Sequence, residues 1–477
     1  MKILYLSSEV APFSKTGGLG DVAGSVPKAL WQKGMDILVV TPAYRSAISA
    51  QGMQDKGQIS MDGGFSFILA GRKLQVNVMH SAPKDGPKVI FLDIDGLFDR
   101  DGLYGNGKEE FSDNPYRFGL FSRASVELCL YLNSMPDVIH ANEWQTAASV
   151  YYSANLEFSE PRFKDVATLL TIHNLAYQGV IPSRLAPSLE LNAPMGPSHL
   201  ATGIFWADVL STVSPSYRKE ILNPGRGMGM HTLLKARRKD LFGILNGADY
   251  EKWNPEKDPY IPANYSIKDL SGKRTCKKEL LREFRLPQDI YRPLFVIPAR
   301  LTGQKGWHLM CSACKKLVKM GASVAMMGEG EPQYEAMLRY TAHTCRPYVS
   351  FLRGYSEDLA HLMQAGGDCL VMPSEFEPCG LTQLYAMKYG TIPVVHDVGG
   401  LRDTIVDPLQ DRSGATGFKF GEYNRASFLS SIARCLRYYN NKPAWRRLMI
   451  NAMAKDYSWS RAARNYISLY WHLKSKK

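Results

Sequence analysis

Short apolar runs of strand length alternate with longer stretches of helical periodicity along the chain. Such alternation is typical of crossover units, in which each helix connects two parallel strands of one sheet. Several runs are apolar almost without interruption, as expected for strands that are covered on both faces. The runs that carry this prediction are KILYLSSE, DILVVTPAY, KVIFLDI, PDVIHANE and ATLLTIHN in the first half, and PLFVIPARL, ASVAMMGEG, YVSFLRGY, DCLVMPSE and TIPVVHDVG in the second.

A polar, proline-punctuated stretch over residues 246–292 separates the two series of strands. The simplest arrangement is two doubly wound α/β domains joined there, the first over residues 1–245 and the second over residues 246–455. Residues 456–477 follow with the apolar spacing of a helix. Ligands of doubly wound sheets bind beyond the carboxyl ends of the strands, so we expect two sets of strand-end loops to face one central cleft.

The composition of the 477 residues is that of an average globular protein, with 45% hydrophobic and 22% charged residues. No run of about 18 apolar residues is present, which argues against a transmembrane helix. The N-terminal MKILYLSSEV has the pattern of a strand and lacks the features of a signal or transit peptide. We therefore expect a cytoplasmic protein with no membrane partner.

The net charge of +13 makes the chain basic. A basic balance is compatible with nucleic acid, acidic membranes or phosphorylated small molecules as partners, and also with an ordinary solvated surface. The basic clusters, such as residues 237–239, are short, and no nucleic-acid-binding motif accompanies them. We therefore expect no nucleic-acid partner.

The eight cysteines are scattered without the spacing of a disulfide framework, which favours a reducing compartment. Cys311 and Cys314 form a single CxxC within an apparent helix, WHLMCSACKKLVKMG. Because zinc would require a second pair of ligands, we interpret them as thiols that face the core, and we expect no metal site.

The loop after the first strand is rich in glycine and reads KTGGLGD over residues 15–21. Its glycines allow backbone N–H groups to approach a phosphate at a helix N-terminus, and Lys15 could add a positive charge. Residues 18–23 also match the G-x-G-x-x-A pattern of dinucleotide-binding sites, but the second strand ends at Arg45 without the acidic residue that such sites need. The lysine precedes the glycines, unlike that of a Walker A loop. NAD is therefore a poor fit.

Two cations and two acids mark strand ends in the second half. Arg300 ends the strand PLFVIPAR and Lys305 follows in LTGQKG, which fits either a diphosphate clamp or two surface cations. Glu375 and Glu377 lie between the run CLVM and a helical pattern that begins near Gly380. A carboxylate there could stabilise developing positive charge or hold sugar hydroxyls. The other interpretation is a pair of exposed loop acids that the helix dipole favours.

Five motifs together resemble the bacterial glycogen synthase and plant starch synthase family. They are KTGGLGDV near the N-terminus, HNLAYQG at 173–179, NGAD at 246, ARLTGQKG at 299 and SEFEPCGLTQLYAMKYGTIPVV at 374. The motifs keep the family's order and extend over nearly the whole chain. The combination of KTGGL with EPCGLTQ is highly specific.

The resemblance implies a GT-B fold, in which two Rossmann-like domains enclose an active site and a C-terminal helix packs back on the N-terminal domain. It implies transfer of glucose from a nucleotide-diphosphate glucose, usually ADP-glucose, to the non-reducing end of an α-1,4-glucan such as glycogen. The anomeric configuration would be retained, and no metal or cofactor beyond the donor substrate would be needed.

The same resemblance assigns roles to individual residues. Arg300 and Lys305 match the pair that stabilises the leaving diphosphate, and Glu377 matches the acid treated as catalytic. His173 matches the histidine near the glucose 6-hydroxyl, and Tyr355 an aromatic residue that stacks on the nucleotide base. The residues matched to catalysis are Lys15, His173, Arg300, Lys305 and Glu377. The residues matched to substrate binding are Lys15, Gly18, Tyr104, Glu143, Asn246, Tyr355, Cys379, Gly380, Leu381 and Thr382.

One motif departs from the family pattern. The family often has H-A-H-D-W or H-A-N-D-W where this chain has HANEW over residues 140–144. Glu143 keeps the carboxylate of the usual aspartate and extends its reach by one methylene group. We expect activity to survive this change.

Two other functions remain open on the sequence. Another retaining two-domain sugar transferase, such as one that makes sucrose or trehalose phosphate, would share the fold, although the pairing of KTGG with EPCGLTQ argues against it. A catalytically inactive carbohydrate-binding or regulatory protein would bind glycogen without using a donor. The presence of Lys15, Arg300, Lys305 and Glu377 argues against that function.

Overall fold

The computed structural model describes residues 1–49, 59–107, 109–191 and 196–477. The chain divides into two compact units: unit 1 comprises Met1–Asn246 and Trp459–Lys477, and unit 2 comprises Gly247–Ser458. Each unit is built on a largely parallel β-sheet with flanking helices, which confirms the predicted α/β class. None of the described helices is long and apolar enough to cross a membrane.

Unit 1 is built on a mixed sheet. Its strands are β1 (Lys2–Leu6), β2 (Asp36–Pro42), β3 (Ser60–Leu69), β4 (Arg72–Ser81), β5 (Lys88–Ile94), β6 (Val138–Asn142), β7 (Ala167–Ile172), β8 (Val209–Thr212) and β9 (Leu241–Gly243). In the described residues they form one nine-stranded sheet in the order β3-β4-β5-β2-β1-β6-β7-β8-β9. Strand β4 is antiparallel to β3 and β5, and the other pairs are parallel. Ile3 lies opposite Ile37 and Val138, so the central strands are apolar.

Unit 2 is built on a parallel sheet. Its strands are β10 (Leu294–Pro298), β11 (Ser323–Gly328), β12 (Val349–Arg353), β13 (Cys369–Met372), β14 (Ile392–His396) and β15 (Phe418–Phe420). The described strands lie in the order β12-β11-β10-β13-β14-β15. Phe295 of the central strand β10 is in register with Val324 and Cys369 of its two neighbours. All three side chains are buried in the core of unit 2.

The helices connect and cover these strands. They are α1 (Gly18–Trp31), α2 (Arg45–Ile48), α3 (Asn114–Tyr131), α4 (Trp144–Leu156), α5 (His199–Trp206), α6 (Pro215–Glu220), α7 (His231–Ala236), α8 (Ser271–Glu283), α9 (Trp307–Lys319), α10 (Pro332–Thr344), α11 (Glu357–Gly366), α12 (Thr382–Lys388), α13 (Gly399–Thr404), α14 (Arg425–Asn440), α15 (Lys442–Met453) and α16 (Trp459–Lys474), with 3-10 turns at Pro161–Phe163, Pro187–Leu189 and Gly303–Lys305. Several helices begin at a polar residue whose side chain accepts a hydrogen bond from the first turn. These caps are Ser198, Ser214, Ser356, Asn424 and Asn441.

All ten predicted strands are present, and the helices predicted over WHLMCSACKKLVKMG and over the C-terminal segment are confirmed as α9 and α16. Five further strands were not predicted. Strands β3 and β4 form an antiparallel hairpin at the edge of the sheet, where alternate residues are exposed and no continuous apolar run forms. Strands β9 and β15 have only three residues, and β8 (VLST) ends in two polar residues, so none of them forms an apolar run of strand length.

Helix α16 packs within unit 1 against α1. Its buried residues include Tyr466, Tyr470 and Leu473, which belong to the same core cluster as the β1 residues Ile3 and Tyr5. The hydroxyl of Tyr470 lies 2.8 Å from Nδ1 of His140. The helix is thus part of the unit 1 core, although more than 200 residues of unit 2 precede it in the chain.

Replacing Leu473 by Ala should destabilise unit 1, since Leu473 is fully buried in α16. A buried leucine truncated to alanine typically costs about 2–5 kcal/mol of unfolding free energy. The neighbouring Trp471 is 58% exposed, so Trp471→Ala is the matched control and should change stability by at most about 0.5 kcal/mol. Urea unfolding measures both changes. Equal destabilisation by the two substitutions would contradict the packing described here.

Candidate active site

Both sheets reverse their strand order beside the first strand of the unit. In unit 1, β1 lies between β2 and β6, and in unit 2, β10 lies between β11 and β13. At such a switch point the loops leave the carboxyl ends of the strands in opposite directions, and the crevice between them is where doubly wound proteins bind ligands. Predicted site residues follow these central strands: Lys15 and Gly18 after β1, Glu143 after β6, Arg300 and Lys305 after β10, and Glu377 after β13.

A buried carboxylate, Glu9, organises the loop after β1. Glu9 is 3% exposed. Its Oε2 accepts hydrogen bonds from the backbone N–H groups of Thr16 at 2.7 Å and Gly17 at 3.3 Å. Its Oε1 accepts from the hydroxyls of Thr16 and Tyr104, both at 2.8 Å. Four donors on one carboxylate offset the cost of burying it and fix the loop against the end of β1.

Lys15 extends from this loop and is paired within it. Its Nζ lies 2.7 Å from Oδ1 of Asp21 in the first turn of α1. A Cβ added at Gly17 or Gly18 would meet no atom of the other described residues within 4 Å, whereas one at Gly20 would approach the Lys15 side chain to 3.0 Å. The backbone at the exposed Gly18 is therefore accessible to an anionic ligand, and the lysine of the same loop can supply positive charge.

Tyr104 lies against this same loop. Its hydroxyl donates to Oε1 of Glu9 and also lies 2.8 Å from Oγ of Ser8. Burial raises the pKa of Tyr104 well above its ordinary value, so the phenol keeps its proton. The structure thus gives the hydroxyl a partner inside unit 1, and the contact of Tyr104 with a nucleotide base stays a prediction.

Glu143 is turned onto the protein backbone. It precedes α4 with a positive φ of 64°, a conformation that is uncommon for a residue with a side chain. Its Oε1 accepts hydrogen bonds from the N–H groups of His173 and, at 2.8 Å, of Asn174. Burial raises the pKa of Glu143 to about 8. In the structure Glu143 therefore joins the loops after β6 and β7, a role that the sequence analysis did not anticipate.

His173 is a neutral imidazole whose tautomer follows from its partner. Its Nε2 lies 3.0 Å from Oδ1 of Asn142. That oxygen also accepts from the hydroxyl of Tyr5, while Nδ2 of the same amide donates to the carbonyl of Leu6 at 3.0 Å. The amide orientation is thereby fixed, which assigns the hydrogen to Nε2 of His173 and leaves Nδ1 as an acceptor. Burial lowers the pKa of His173 to about 3.

Asn246 presents a buried acceptor without a donor. The residue follows β9 and is 5% exposed. Its Oδ1 has no hydrogen-bond partner among the described residues. A buried polar atom left in this state costs about 1–3 kcal/mol, which a hydroxyl of a bound ligand would remove. Asn246 therefore has the chemistry expected of a sugar contact.

In unit 2 two of the predicted catalytic residues are in direct contact. Nζ of Lys305 lies 2.6 Å from Oε2 of Glu377, and the two side chains are 18% and 8% exposed. The hydroxyl of Ser374 donates to the same oxygen at 3.0 Å. Glu375, in contrast, is exposed. The interpretation as exposed loop acids therefore fits Glu375 and is wrong for Glu377.

The loop that carries Glu377 is held on both sides by close backbone contacts. The N–H of Glu375 donates to the carbonyl of Gln304 at 2.9 Å. On the other side the N–H of Gly400 donates to the Glu377 carbonyl at 3.1 Å. A Cβ at Gly399 would lie 2.0 Å from that carbonyl oxygen, so only glycine permits this approach. The position of the Glu377 carboxylate is thus fixed by the backbone as well as by its ion pair.

Arg300 supplies an exposed cation in the loop after β10. Its guanidinium makes no hydrogen bond or ion pair with another described residue. Its carbonyl accepts a hydrogen bond from Nε1 of the buried Trp307 at 2.9 Å, which anchors the backbone. The guanidinium is therefore available to an anionic ligand.

The remaining predicted contacts connect the β13 loop to α12, which begins at Thr382 close to the predicted start. Cys379 is buried, and Gly380, Leu381 and Thr382 are half-buried. Gly380 has a φ of +73°, and its carbonyl and that of Cys379 accept hydrogen bonds from the Gln383 side chain at 2.9 and 3.0 Å. These contacts close the turn, and no side chain among the described residues caps the first turn of α12.

Tyr355 stands at the end of β12. It follows Gly354, whose φ of +104° favours glycine and turns the chain out of the strand. The residue is 59% exposed, and its hydroxyl donates to Oε2 of Glu357 at 2.6 Å. An exposed ring held at its hydroxyl is suited to stacking on a flat ligand.

Glu9, Asp21 and Ser374 were not predicted, although each contacts a predicted residue and lies in a stretch that carries predicted residues or strands. Their signal is position: each polar side chain comes within a few residues of a strand end or helix start, where it can bond the loop. No group of three or more His, Cys, Asp and Glu side chains in the described part of the chain is placed to hold a metal ion. Cys314 is buried and Cys311 packs at the margin of the unit 2 core, so both thiols face the core as predicted.

Comparison with known proteins identifies similar sequences over the whole chain. Residues 2–236 match the family model described as starch synthase catalytic domain, and residues 282–447 match the model for glycosyl transferases group 1. The chain is 39% identical to a glycogen synthase of Anaeromyxobacter dehalogenans, with 98% of this chain and 99% of the relative covered. It is 41% identical to a glycogen synthase of Paramagnetospirillum magneticum, with 98% and 97% covered.

Two solved structures are similar to this chain over nearly its whole length. The catalytic domain of starch synthase IV from Arabidopsis thaliana, bound to ADP and acarbose, superposes with a TM-score of 0.89 at 29% identity and covers 99% of each chain. Sucrose-phosphate synthase from Thermosynechococcus elongatus superposes with a TM-score of 0.62 at 16% identity, over the full length of both chains. The second similarity shows the fold alone.

The raised pKa of Glu143 predicts a pH-dependent stability of unit 1. The unfolded carboxyl, with an ordinary pKa of 4.5, loses its proton well before the folded one, whose pKa is about 8. The stabilising contribution is therefore present below pH 4.5 and is lost as the pH rises towards 8. Each pKa unit corresponds to about 1.4 kcal/mol, so the shift from 4.5 to about 8 corresponds to a total loss on the order of 5 kcal/mol.

Glu143→Gln should remove this part of the pH dependence while its amide oxygen still accepts a backbone hydrogen bond. Glu157→Gln, at the other end of α4, is the matched control and should leave the dependence intact. Urea midpoints measured between pH 5 and pH 9 give the comparison. Parallel curves for wild type and Glu143→Gln would show that the buried carboxyl does not retain its proton in this range.

Proposed function

Because the chain belongs to the glycogen synthase and starch synthase family, we propose that it lengthens an α-1,4-glucan by transferring glucose from ADP-glucose to the non-reducing end. The observation that carries the proposal is the buried pair of Lys305 and Glu377, with the exposed guanidinium of Arg300 in the same loop as the lysine. Glycosyl transfer from a diphosphate requires cations that stabilise the leaving diphosphate. It also requires a carboxylate that can stabilise the positive charge of the sugar.

The proposed donor is supported by the similar solved structure. The starch synthase IV domain from Arabidopsis thaliana was solved with ADP. In this chain, Arg300 and the exposed ring of Tyr355 both follow strands of the unit 2 sheet and offer the two groups that ADP needs, a cation for phosphate and a flat surface for the base. We propose that unit 2 binds the nucleotide part of ADP-glucose through these residues and through the turn at Gly380.

In the proposed reaction, the bond between the anomeric carbon and the diphosphate oxygen breaks and leaves an oxocarbenium-like sugar. Arg300 and Lys305 compensate the charge that develops on the diphosphate, and Glu377 holds Lys305 and stabilises the positive charge of the sugar. The 4-hydroxyl of the glucan attacks the anomeric carbon from the face that the diphosphate leaves. Its proton passes to a diphosphate oxygen, and the configuration at the anomeric carbon is retained.

Residues of unit 1 have matching chemistry. We propose that Lys15 and the accessible backbone at Gly18 bind donor phosphate. Nδ1 of His173, which remains unprotonated at physiological pH, accepts a hydrogen bond from the 6-hydroxyl of glucose. The buried oxygen of Asn246 accepts from another sugar hydroxyl. Glu143 acts through the backbone of His173 rather than by touching the sugar.

The eight cysteines are free thiols in the structure, which supports the proposal that the reaction takes place in a reducing compartment such as the cytoplasm.

The test of the proposed function is incorporation of labelled glucose by the purified full chain. ADP-glucose and UDP-glucose are offered separately, each with glycogen, with a maltooligosaccharide, and with fructose 6-phosphate or glucose 6-phosphate as the alternative acceptors. Transfer from ADP-glucose to glycogen is the expected result. Transfer from UDP-glucose alone would overturn the donor, transfer to a sugar phosphate would overturn the acceptor, and glycogen binding without any transfer would favour an inactive carbohydrate-binding protein.

Replacing Arg300 by Ala should lower kcat for transfer by roughly 10²–10³-fold, because the guanidinium acts on charge that develops only as the donor bond breaks. Arg353→Ala is the matched control, since Arg353 is an exposed arginine at the end of β12 in the same unit. Steady-state kinetics with ADP-glucose measures both variants. A change in the donor KM alone would show that Arg300 binds the ground state and does not act in the transition state.

Replacing Glu377 by Ala should abolish most turnover and leave ADP binding close to normal. The carboxylate acts on the sugar and on Lys305, and the ammonium that it releases can still bind phosphate. Glu375→Ala is the control, because Glu375 lies two residues away in the same loop and is exposed. Turnover and ADP calorimetry are compared. An equal loss of both quantities would give Glu377 a mainly binding role.

A further inference from the structure

We propose that Glu357, held by a buried Asp258–His361 pair, is a positioning residue that sets the orientation of Tyr355 and thereby the affinity of unit 2 for the nucleotide base. The inference rests on the proposed function, since Tyr355 has a base to stack on only if the donor is a nucleotide sugar. It adds three residues to the site, none of which contacts the donor in this proposal.

The hydroxyl of Tyr355 is tethered to the carboxylate of Glu357. The tyrosine side chain has two main torsions, and a hydrogen bond of 2.6 Å at its far end restrains both. Gly354, with its positive φ, fixes the backbone on one side, and Ser356 caps α11 on the other by accepting from the N–H of Leu359. Tyr355 is nevertheless 59% exposed. The ring is therefore held in place before any ligand stacks on it.

Glu357 is itself fixed by charge. Its Oε1 lies 2.6 Å from Nζ of Lys252 and 3.5 Å from Nε2 of His361, which is one turn further along α11. The second distance is that of an ion pair rather than of a hydrogen bond. The interactions of its carboxylate with the imidazole of His361 and the ammonium of Lys252 hold the pKa of Glu357 well below its usual range. Glu357 therefore remains a carboxylate, and its other oxygen remains an acceptor for Tyr355.

His361, which contacts Glu357, is itself held by a buried carboxylate. The residue is fully buried, and its Nδ1 lies 2.8 Å from Oδ2 of Asp258. The same oxygen accepts from the hydroxyl of Tyr389 at 2.5 Å. Although burial acts in the opposite direction, the carboxylates of Asp258 and Glu357 raise the pKa of His361 above its ordinary value. The imidazole thus lies between two carboxylates, in hydrogen-bond contact with Asp258 and at ion-pair distance from Glu357.

Stacking removes the rotational freedom that His361 would otherwise have. Its ring lies 3.7 Å from that of Trp253 with an angle of 8° between the planes, and Trp253 stacks on Tyr385 at 4.4 Å. Tyr260 contacts the histidine ring from another direction at 4.7 Å. These ring contacts restrain the rotation and displacement of the imidazole. The position of Glu357 is therefore set by contacts with the core of unit 2 rather than by contacts at the surface.

The energetic cost of this arrangement argues for a role beyond packing. Burying charged groups is expensive even when they are paired, and hydrophobic side chains of similar volume often stabilise a core at least as well. The line from Asp258 through His361 to Glu357 leads out of the core and ends at one exposed ring, that of Tyr355. A rigid polar line that ends at a predicted ligand contact is what preorganisation of a binding surface requires.

Tyr355→Phe is the test of the tether, because it removes the hydroxyl and keeps the stacking ring. We expect the dissociation constant for ADP to rise roughly two- to tenfold, since the ring must then be ordered when the base binds. Inorganic pyrophosphate has no base, so its dissociation constant should not change. Tyr340→Phe, at a 68% exposed tyrosine of α10 in the same unit, is the matched control and should bind both ligands as wild type does.

Glu357→Gln and the double variant with Tyr355→Phe complete a double-mutant cycle. Glu357→Gln should weaken ADP binding in the same direction and leave pyrophosphate binding unchanged. If Glu357 acts only through the tyrosine hydroxyl, the double variant should bind ADP no more weakly than Tyr355→Phe alone. Isothermal titration calorimetry gives the dissociation constants, and thermal unfolding confirms that each variant is folded.

The outcomes separate this inference from the proposed function. If wild type binds ADP and transfers glucose but Tyr355→Phe binds ADP equally well, the positioning role is wrong and the function stands. The role is also wrong if the two single effects multiply in the double variant, or if pyrophosphate binding weakens as much as ADP binding. If wild type neither binds ADP nor uses ADP-glucose, the proposed function fails and the inference fails with it.

Discussion

The ion pair between Lys305 and Glu377 is the side-chain interaction that joins the loops after β10 and β13, beside the backbone contact of Glu375 with Gln304. The two residues are 72 positions apart, in the loops after neighbouring strands, and both are largely buried. Burying either charge without the other would cost several kcal/mol of free energy, so the pair favours the conformation in which the two loops are in contact. The close approach is possible because the residue that precedes α9 is Gly306, where a Cβ would lie 1.9 Å from the carbonyl oxygen of Pro373. Strand order, the position of the glycine and the paired charges therefore together fix the approach of these two loops.

In unit 1, each of two loops is held by one buried acid that accepts hydrogen bonds from neutral donors. Glu9 collects two backbone N–H groups and two hydroxyls from the loop after β1 and from Tyr104. Glu143 similarly collects the N–H groups at the end of β7. In both cases a buried acid replaces the regular hydrogen bonds that a loop lacks, which keeps an irregular backbone rigid. Gly18 can then remain open to a ligand, because Glu9 and its donors already fix the loop that leads to it.

Much of the fold was predictable because parallel strands buried on both faces produce continuous apolar runs, as in CLVM before the Glu377 loop. The edge hairpin of β3 and β4 was not predictable in this way, since its alternate side chains face solvent. The candidate residues at strand ends were predictable from their positions after such runs. Their partners were not: nothing in the spacing says that Lys305 contacts Glu377, or that Glu143 turns inward, because these contacts follow from loop conformations with positive φ or without regular hydrogen bonds.

The three cations proposed to meet the donor phosphates differ in what already neutralises them. Lys15 is paired with Asp21 and both side chains are more than one third exposed, so salt screens that pair and a phosphate can compete for the ammonium. The Lys305 pair is mostly buried and is screened far less. An ammonium has three donors, so Lys305 can keep its carboxylate and still bind a second anion. Arg300 has no acidic partner among the described residues and brings the uncompensated charge. In the proposed site, Arg300 therefore supplies the charge that no described carboxylate compensates, whereas the charges of Lys305 and Lys15 are already paired.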